Sequence, residues 1–161
     1  MRFLSYICRC KSVIIHFQPF YNNDEHELIP TPMMSFGESV KTCFQKYVTF
    51  KGRARRSEYW WFCLLNCIVS IITLVLDYQM DTINIELGLG ALSGLYTLIV
   101  FLPGLAVSVR RLHDTGHSGW LYLLIIIPIL GSLFLLYFFV SDSAPEENRY
   151  GKSPKYAQET F

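Results

Sequence analysis

The placement of charge is what most limits how this chain can fold. No Asp, Glu, Lys or Arg occurs for 18 residues between Glu58 and Asp77, for 23 between Glu86 and Arg110, or for 27 between Asp114 and Asp142. At about 1.5 Å per residue, helices over these stretches are roughly 27, 34 and 40 Å long, against a hydrocarbon core of about 30 Å. Lipid offers backbone amides no partners, so helices are the expected form. A soluble bundle would show a polar stripe at helical spacing. Residues 120–140, WLYLLIIIPILGSLFLLYFFV, carry only Ser132 besides aromatic polar tips. The expected class is all-α: a multi-pass membrane protein with about three transmembrane helices, near residues 59–77, 87–109 and 120–140, preceded by an amphipathic interfacial helix.

Direction follows from how charge alternates between the stretches. Lys41, Lys46, Lys51, Arg53, Arg55 and Arg56 face a single acid before the first span, whereas residues 77–86 hold three acids and no base. The next connection opens with Arg110 and Arg111. The positive-inside rule puts both basic segments and the N-terminus in the cytoplasm. Three crossings would put the polar tail, residues 142–161, outside. Its Arg149, Lys152 and Lys155 against four acids give no vote, and Pro128 and Gly131 mark the place where the third stretch either kinks or turns back.

Residues 1–33 read as a disordered lead with a polar, proline-bearing end, and translation is expected to start at Met33 or Met34. Ser35 and Glu38 have capping-box spacing, and Phe36, Val40, Cys43, Phe44 and Tyr47 recur on one helical face. That amphipathic helix either lies in the interface with its lysines toward headgroups or packs on the neighbouring loops. Ser57 is the expected cap of the first span, which Tyr59, Trp60 and Trp61 lead in at headgroup level. In the second span Gly90 and Gly94 have the spacing of a helix-packing stripe, and Pro103 and Gly104 predict a bend. The five cysteines show no metal-ligand or paired spacing and read as free thiols.

Two segments carry the candidate chemistry. In FKGRARRSEYWWF, residues 50–62, Arg53, Arg55 and Arg56 suit anionic lipid headgroups at about 1 kcal/mol each, or serve only to set orientation. Nucleic acid is not an expected partner, because no groove-reading module accompanies them. In RRLHDTGHSGW, residues 110–120, His113 and His117 flank Asp114, a weak metal candidate that lacks a third ligand and is interrupted by Gly116. Asp114 is expected to pair with Arg110, Arg55 or Arg56, and Glu58 with Arg110 or Arg111, because charge at a membrane boundary is costly unless partnered.

These two segments, the proline-bearing third stretch and the tail PEENRYGKSP at residues 145–154 together resemble the domain of unknown function 805 family over residues 35 to about 155. The resemblance implies a small multi-pass protein of the bacterial inner (plasma) membrane. It implies no reaction, cofactor or substrate. The residues before Met34 lie outside the family pattern, and the position of His117 often carries another residue there, which counts against the two-histidine metal site. Arg110, Arg111, Leu112, His113 and Asp114 match as they stand.

The function expected first is a non-enzymatic accessory or interaction module without a cofactor. Its surface of Arg53, Arg55, Arg56, Trp60, Trp61, Arg110, Arg111, His113, Asp114 and Trp120 would bind lipid or a membrane-protein partner. The alternative is a subunit of an oligomeric transporter or channel, although the polarity within the spans is uncharged and slight, as at Asn66, Ser70, Thr73, Ser93 and Thr97. A membrane-bound metal-dependent enzyme built on His113 and Asp114 comes third.

Overall fold

A computed structural model describes residues 29–84 and 88–157. The start of the lead, residues 1–28, lies outside the described residues. The folded part nonetheless begins before the expected boundary at residue 35, since β1 (Ile29–Pro30) pairs antiparallel with β2 (Tyr156–Ala157). Thr31 continues this contact, its N–H donating to the Lys155 carbonyl at 2.7 Å.

Helix α1 (Phe36–Gln45) starts on the expected capping box: Ser35 Oγ accepts from Glu38 N at 3.3 Å, and Glu38 Oε2 accepts from Ser35 N at 2.9 Å. The Ser35 backbone and hydroxyl donors hold the Glu38 carboxyl below its ordinary range. The buried side of α1 is Ser39 and Cys43. Its Phe36 and Phe44 rings meet Trp61 and Phe62 edge-on at 5.7 and 5.9 Å, so the helix packs along the start of the next one.

Helix α2 (Arg56–Gln79) begins one residue before the expected cap. Gly52, at φ +88°, turns the chain in a conformation that favours glycine, and extended Arg55 is the N-cap without a side-chain cap bond. Ser57 therefore sits inside the first turn. Helix α3 (Ala91–Asp114) returns antiparallel to α2 and runs through Pro103 to the end of RRLHD, so the second basic segment is helical rather than a loop. Gly116, at φ +81°, ends it, with Gly116 N bonded to His113 O and His117 N to Leu112 O. Between the two helices Tyr96 Oη donates to Asn66 Oδ1 at 2.9 Å. Both are long and apolar enough to cross a membrane.

The far end of this pair is closed by Asp77. Its carboxylate accepts from the backbone N–H groups of Leu92 at 2.9 Å and Ser93 at 2.7 Å, and from Thr82 Oγ1 at 2.8 Å. It thereby caps α3 from another helix. Gly90 precedes α3 as its N-cap, and a Cβ there would fall 2.1 Å from the Asp77 carboxyl carbon. Gly94 has open space where its side chain would be. Within the chain the expected Gly90–Gly94 spacing forms no internal packing stripe: one glycine makes room for a cap, and the other faces open space.

The third apolar stretch is α-helical only in its second half. A 3₁₀ segment (Gly119–Ile126) gives way at extended Ile127 to α4 (Pro128–Val140), with Pro128 in the first turn, where its missing N–H costs nothing. Thirteen residues of α-helix are about 20 Å, short of a hydrocarbon core. The two halves pack on each other. Leu121, Tyr122 and Leu124 border a buried cluster of Leu112, Leu135, Phe138 and Phe139. A Cβ on Gly131 would strike the Leu124 carbonyl oxygen at 1.7 Å, so glycine permits this approach. His117, just before the stretch, lies 4.2 Å ring to ring from Phe138 near its end. Of the two expected outcomes at Pro128 and Gly131, a kinked span or a turn back, the structure shows the turn back, a hairpin whose ends meet. The physical reason is the pairing of a break at Ile127–Pro128 with a residue small enough to fold against it. The all-α class with two long apolar helices and a shorter one stands.

Candidate functional site: a buried arginine cluster

The start of α2, the end of α3 and the tail meet at one end of the helix pair, and there the two basic segments are brought together. Arg53, on the extended run into α2, sends Nε to Asp114 Oδ1 at 2.9 Å. Its Nη1 donates to the carbonyls of Glu146 at 2.7 Å and Gly151 at 3.2 Å, and its Nη2 to those of Ala144 and Asp114. One planar guanidinium thus ties the first basic segment, α3 and the tail. Arg111 pairs one turn back with the other Asp114 oxygen, and reaches the carbonyls of Phe139 and Ser141 at the end of α4. Arg110 Nη1 donates to Glu58 Oε1 at 2.6 Å.

All of these side chains are buried: Arg110, Arg111 and Asp114 are 0% exposed, and Arg53 6%. Charge at such depth is tolerated only with close partners, and cations in the last turn of α3 and Glu58 in the first turn of α2 also suit the helix dipoles. Asp114 therefore pairs with Arg53 and Arg111, not with Arg110, Arg55 or Arg56. Glu58 takes Arg110, one of its two expected partners. Arg55 spends its guanidinium on Thr31 Oγ1 at 3.0 Å and on the carbonyls of Thr31 and Pro32.

This corrects the expected binding surface. Arg53, Arg55, Arg110, Arg111, His113 and Asp114 are turned inward, each with at least one internal partner, although Arg110 leaves Nε and Nη2 buried without a hydrogen bond. Arg56 remains half-exposed. It meets Asp142 at 3.1 Å, and Asp142 also holds Lys155 at 2.5 Å. The Lys155 hydrogen bond is the main cause that keeps the Asp142 carboxyl below its ordinary range. Trp60 and Trp61 are exposed at 42% and 38%, and Trp120 at 79%, around the same end.

The histidines face different neighbours. His113 Nδ1 donates to the Gly52 carbonyl at 3.2 Å, and its ring stacks on Tyr150 at 3.7 Å with 6° between planes. His117 Nδ1 lies 3.3 Å from Thr115 Oγ1, its ring against Phe138. The end of α3 at Gly116 separates them, so they do not share a helix face toward one ion. Among the described residues, no group of three His, Cys, Asp or Glu side chains is disposed to hold a metal. Cys43 lies beside the Glu58–Arg110 pair, its Sγ 3.9 Å from Glu58 Oε1. Burial, and after it the Glu58 charge, pushes the thiol up to about 12.

Sequence reasoning missed two parts of this end, the tail carbonyls and the Thr31–Pro32 anchor, and at the opposite end the capping role of Asp77. The tail motif did offer a signal, since Asn148 in PEENRYGKSP forms a turn with Gly151 and donates from Nδ2 to the His113 carbonyl at 2.9 Å.

Long apolar helices, a broken apolar hairpin and an arginine-sealed polar end define a small helical membrane protein whose ionisable residues lock one end of the fold. The chain belongs to the family described as proteins of unknown function, DUF805, which it matches over residues 47–152. It is 47% identical over 114 residues to the inner membrane protein YhaI of Escherichia coli strain K12, covering 70% of this chain and 91% of that relative. It is 44% identical over 111 residues to the inner membrane protein YhaH of the same strain, covering 69% and 91%. The location these relatives support is the bacterial inner membrane. No solved structure matches the chain.

Proposed function

We propose that this protein is a non-enzymatic accessory module of the inner membrane, which carries a rigid, arginine-locked cap and presents a cationic, aromatic rim to anionic headgroups or to a membrane partner. The observation that carries this reading is the inward use of Arg53, Arg110, Arg111 and Asp114. Arg53, Arg111 and Asp114 are occupied by each other or by backbone carbonyls, and Arg110 gives its Nη1 to Glu58, as in a structural lock. What faces outward is Lys41, Lys46, Lys51 and half-exposed Arg56, with Trp60, Trp61 and Trp120. That combination suits the headgroup layer, where each basic residue is worth about 1 kcal/mol on an acidic leaflet.

The topology that goes with it has α2 and α3 as the crossings, the hairpin re-entering from the arginine side, and the N-terminus and tail both in the cytoplasm. Support comes from the basic residues at one end, from Asp77 and Asp81 at the other, and from the tail packing among the arginines. Alkaline phosphatase and green fluorescent protein fused after Phe161 test it. Fluorescence without phosphatase activity is expected, and the reverse overturns the two-crossing arrangement. Replacing Lys41, Lys46 and Lys51 by Gln should release co-purifying anionic lipid or partner; unchanged co-purification would remove the rim from the reading.

A second reading, a subunit of an oligomeric transporter or channel, draws on the hairpin, because broken helices at membrane depth line cavities in such proteins. Ion flux through the reconstituted protein, together with crosslinks between copies, would favour it over the accessory role.

A further inference from the structure

A cavity of about 580 Å³ lies between the end of α3, the start of the 3₁₀ segment and the tail. Its volume falls within the roughly 300–1,000 Å³ of small-ligand sites. Phe50, Leu105, Val109, Trp120, Tyr122 and Tyr150 form most of its wall, and among the described residues no carboxylate lines it. From Leu105 to His113 the wall follows about 12 Å of α3, from the apolar body of the helix to its polar end. Trp120 and Leu123, 79% and 53% exposed, stand on its outer side. Gly119 brings the hairpin close to α3, since a Cβ there would lie 2.6 Å from Val109 Cγ1.

Cations stand beside the polar end of this slot without lining it. The Arg149 guanidinium lies 4.8 Å from the centre of the Tyr150 ring, whose plane also stacks on His113. Arg149 is exposed and makes no salt bridge among the described residues. Lys51, next to Phe50, is exposed as well. A long apolar slot along a membrane helix, with a guanidinium beside its polar end that makes no salt bridge among the described residues, matches one ligand shape: an apolar chain with an anionic head.

We propose that this slot holds one acyl chain of an anionic phospholipid whose phosphate meets Arg149. This rests on the accessory reading and gives its lipid preference a specific seat, separate from the rim of α1 and α2. Tyr122 and Trp120 bracket the upper part of the chain, and His113, held by Gly52 and Tyr150, closes the end.

The test uses the full chain carrying Trp60→Phe and Trp61→Phe, which leaves Trp120 as the sole tryptophan. It is reconstituted in phosphatidylcholine vesicles in which either phosphatidylglycerol or phosphatidylcholine has brominated acyl chains. Brominated phosphatidylglycerol should quench Trp120 at a mole fraction about fivefold lower, the preference one arginine near an anionic head supplies. Arg149→Gln, on an exposed side chain, should bring the two curves together, and Leu105→Phe should shrink the saturable part by filling the slot. Equal quenching by both lipids in the unaltered protein overturns the proposal. Saturable quenching by a brominated fatty acid but not by brominated phosphatidylglycerol overturns the choice of phospholipid. If Trp120 shows no preference while anionic lipid still co-purifies through Lys41, Lys46 and Lys51, the slot fails and the accessory reading stands; loss of both preferences sinks both.

Discussion

Asp114 receives guanidinium groups on both of its oxygens in a place water does not reach, so its charge stabilises the fold only while both partners stay. Replacing it with Ala leaves Arg53 and Arg111 buried with one carboxylate fewer, and breaking a buried pair costs about 3–5 kcal/mol. We expect that loss in the unfolding of purified protein by sodium dodecyl sulfate. Arg56→Ala, at a half-exposed pair, should cost less than about 1 kcal/mol. Cys43 offers a second residue-scale outcome. Its thiol is raised from 9.0 to about 12, so the folded state favours the protonated form. The sign follows: its contribution to stability is complete below about pH 9 and is lost as pH rises toward 12. Native protein at pH 8.5 should therefore leave Cys43 unlabelled by N-ethylmaleimide, and detergent-denatured protein should label it, as read by peptide mass spectrometry. At this scale the sequence revealed which residue types would be paired but not with whom. Arg53, Arg55 and Arg56 are chemically alike and separated by at most three positions. Their fates diverge because the extended backbone after Gly52 sends Arg53 to Asp114, Arg55 to Thr31, and Arg56 to Asp142.

The long helices were readable because each is a charge-free run bounded by charge, and the capping box of α1 because its signal is local. The hairpin was not. A proline and a glycine three residues apart describe a kinked helix as well as a turned-back one, and the choice depends on contacts between Leu124 and Gly131 that span the break. Gly90 and Gly94 carry the same lesson, since their spacing suits a helix stripe but Asp77, far in sequence, recruits Gly90 as a cap. The two readings separate by substitution. Gly90→Ala must displace the Asp77 carboxylate and should destabilise by roughly 1–3 kcal/mol through donors left unsatisfied. Gly94→Ala meets open space and should be neutral or stabilising by up to about 1 kcal/mol. Equal losses at both positions in the same detergent titration would restore the stripe.

On the scale of the whole molecule, the fold is sealed at each end by a different device. One end is a single carboxylate on backbone amides, and the other is a set of guanidinium groups on backbone carbonyls. The tail belongs to the second device, so it is structural. Deleting residues 142–161 should expose Arg53 to trypsin in membranes whose arginine face is accessible, where the full chain resists. Protection in the shortened chain would show that Asp114 alone suffices. This role was hidden in the sequence because a carbonyl acceptor belongs to every residue and leaves no compositional mark. Only Asn148 and Gly151 hinted at a shaped turn.

The reliance of Arg53 on Ala144, Glu146 and Gly151 also sets an order of assembly during synthesis. The tail partners of this guanidinium emerge 91 to 98 residues after it does, later than Asp114 at 61 residues. At about 5–20 residues per second, that is a delay on the order of 5–20 s. Throughout that interval Arg53 lacks its tail acceptors and stays charged, which is the condition under which a basic segment is retained on its own side while the following helices are threaded into lipid. The residue that ends as the lock can therefore first act as the anchor.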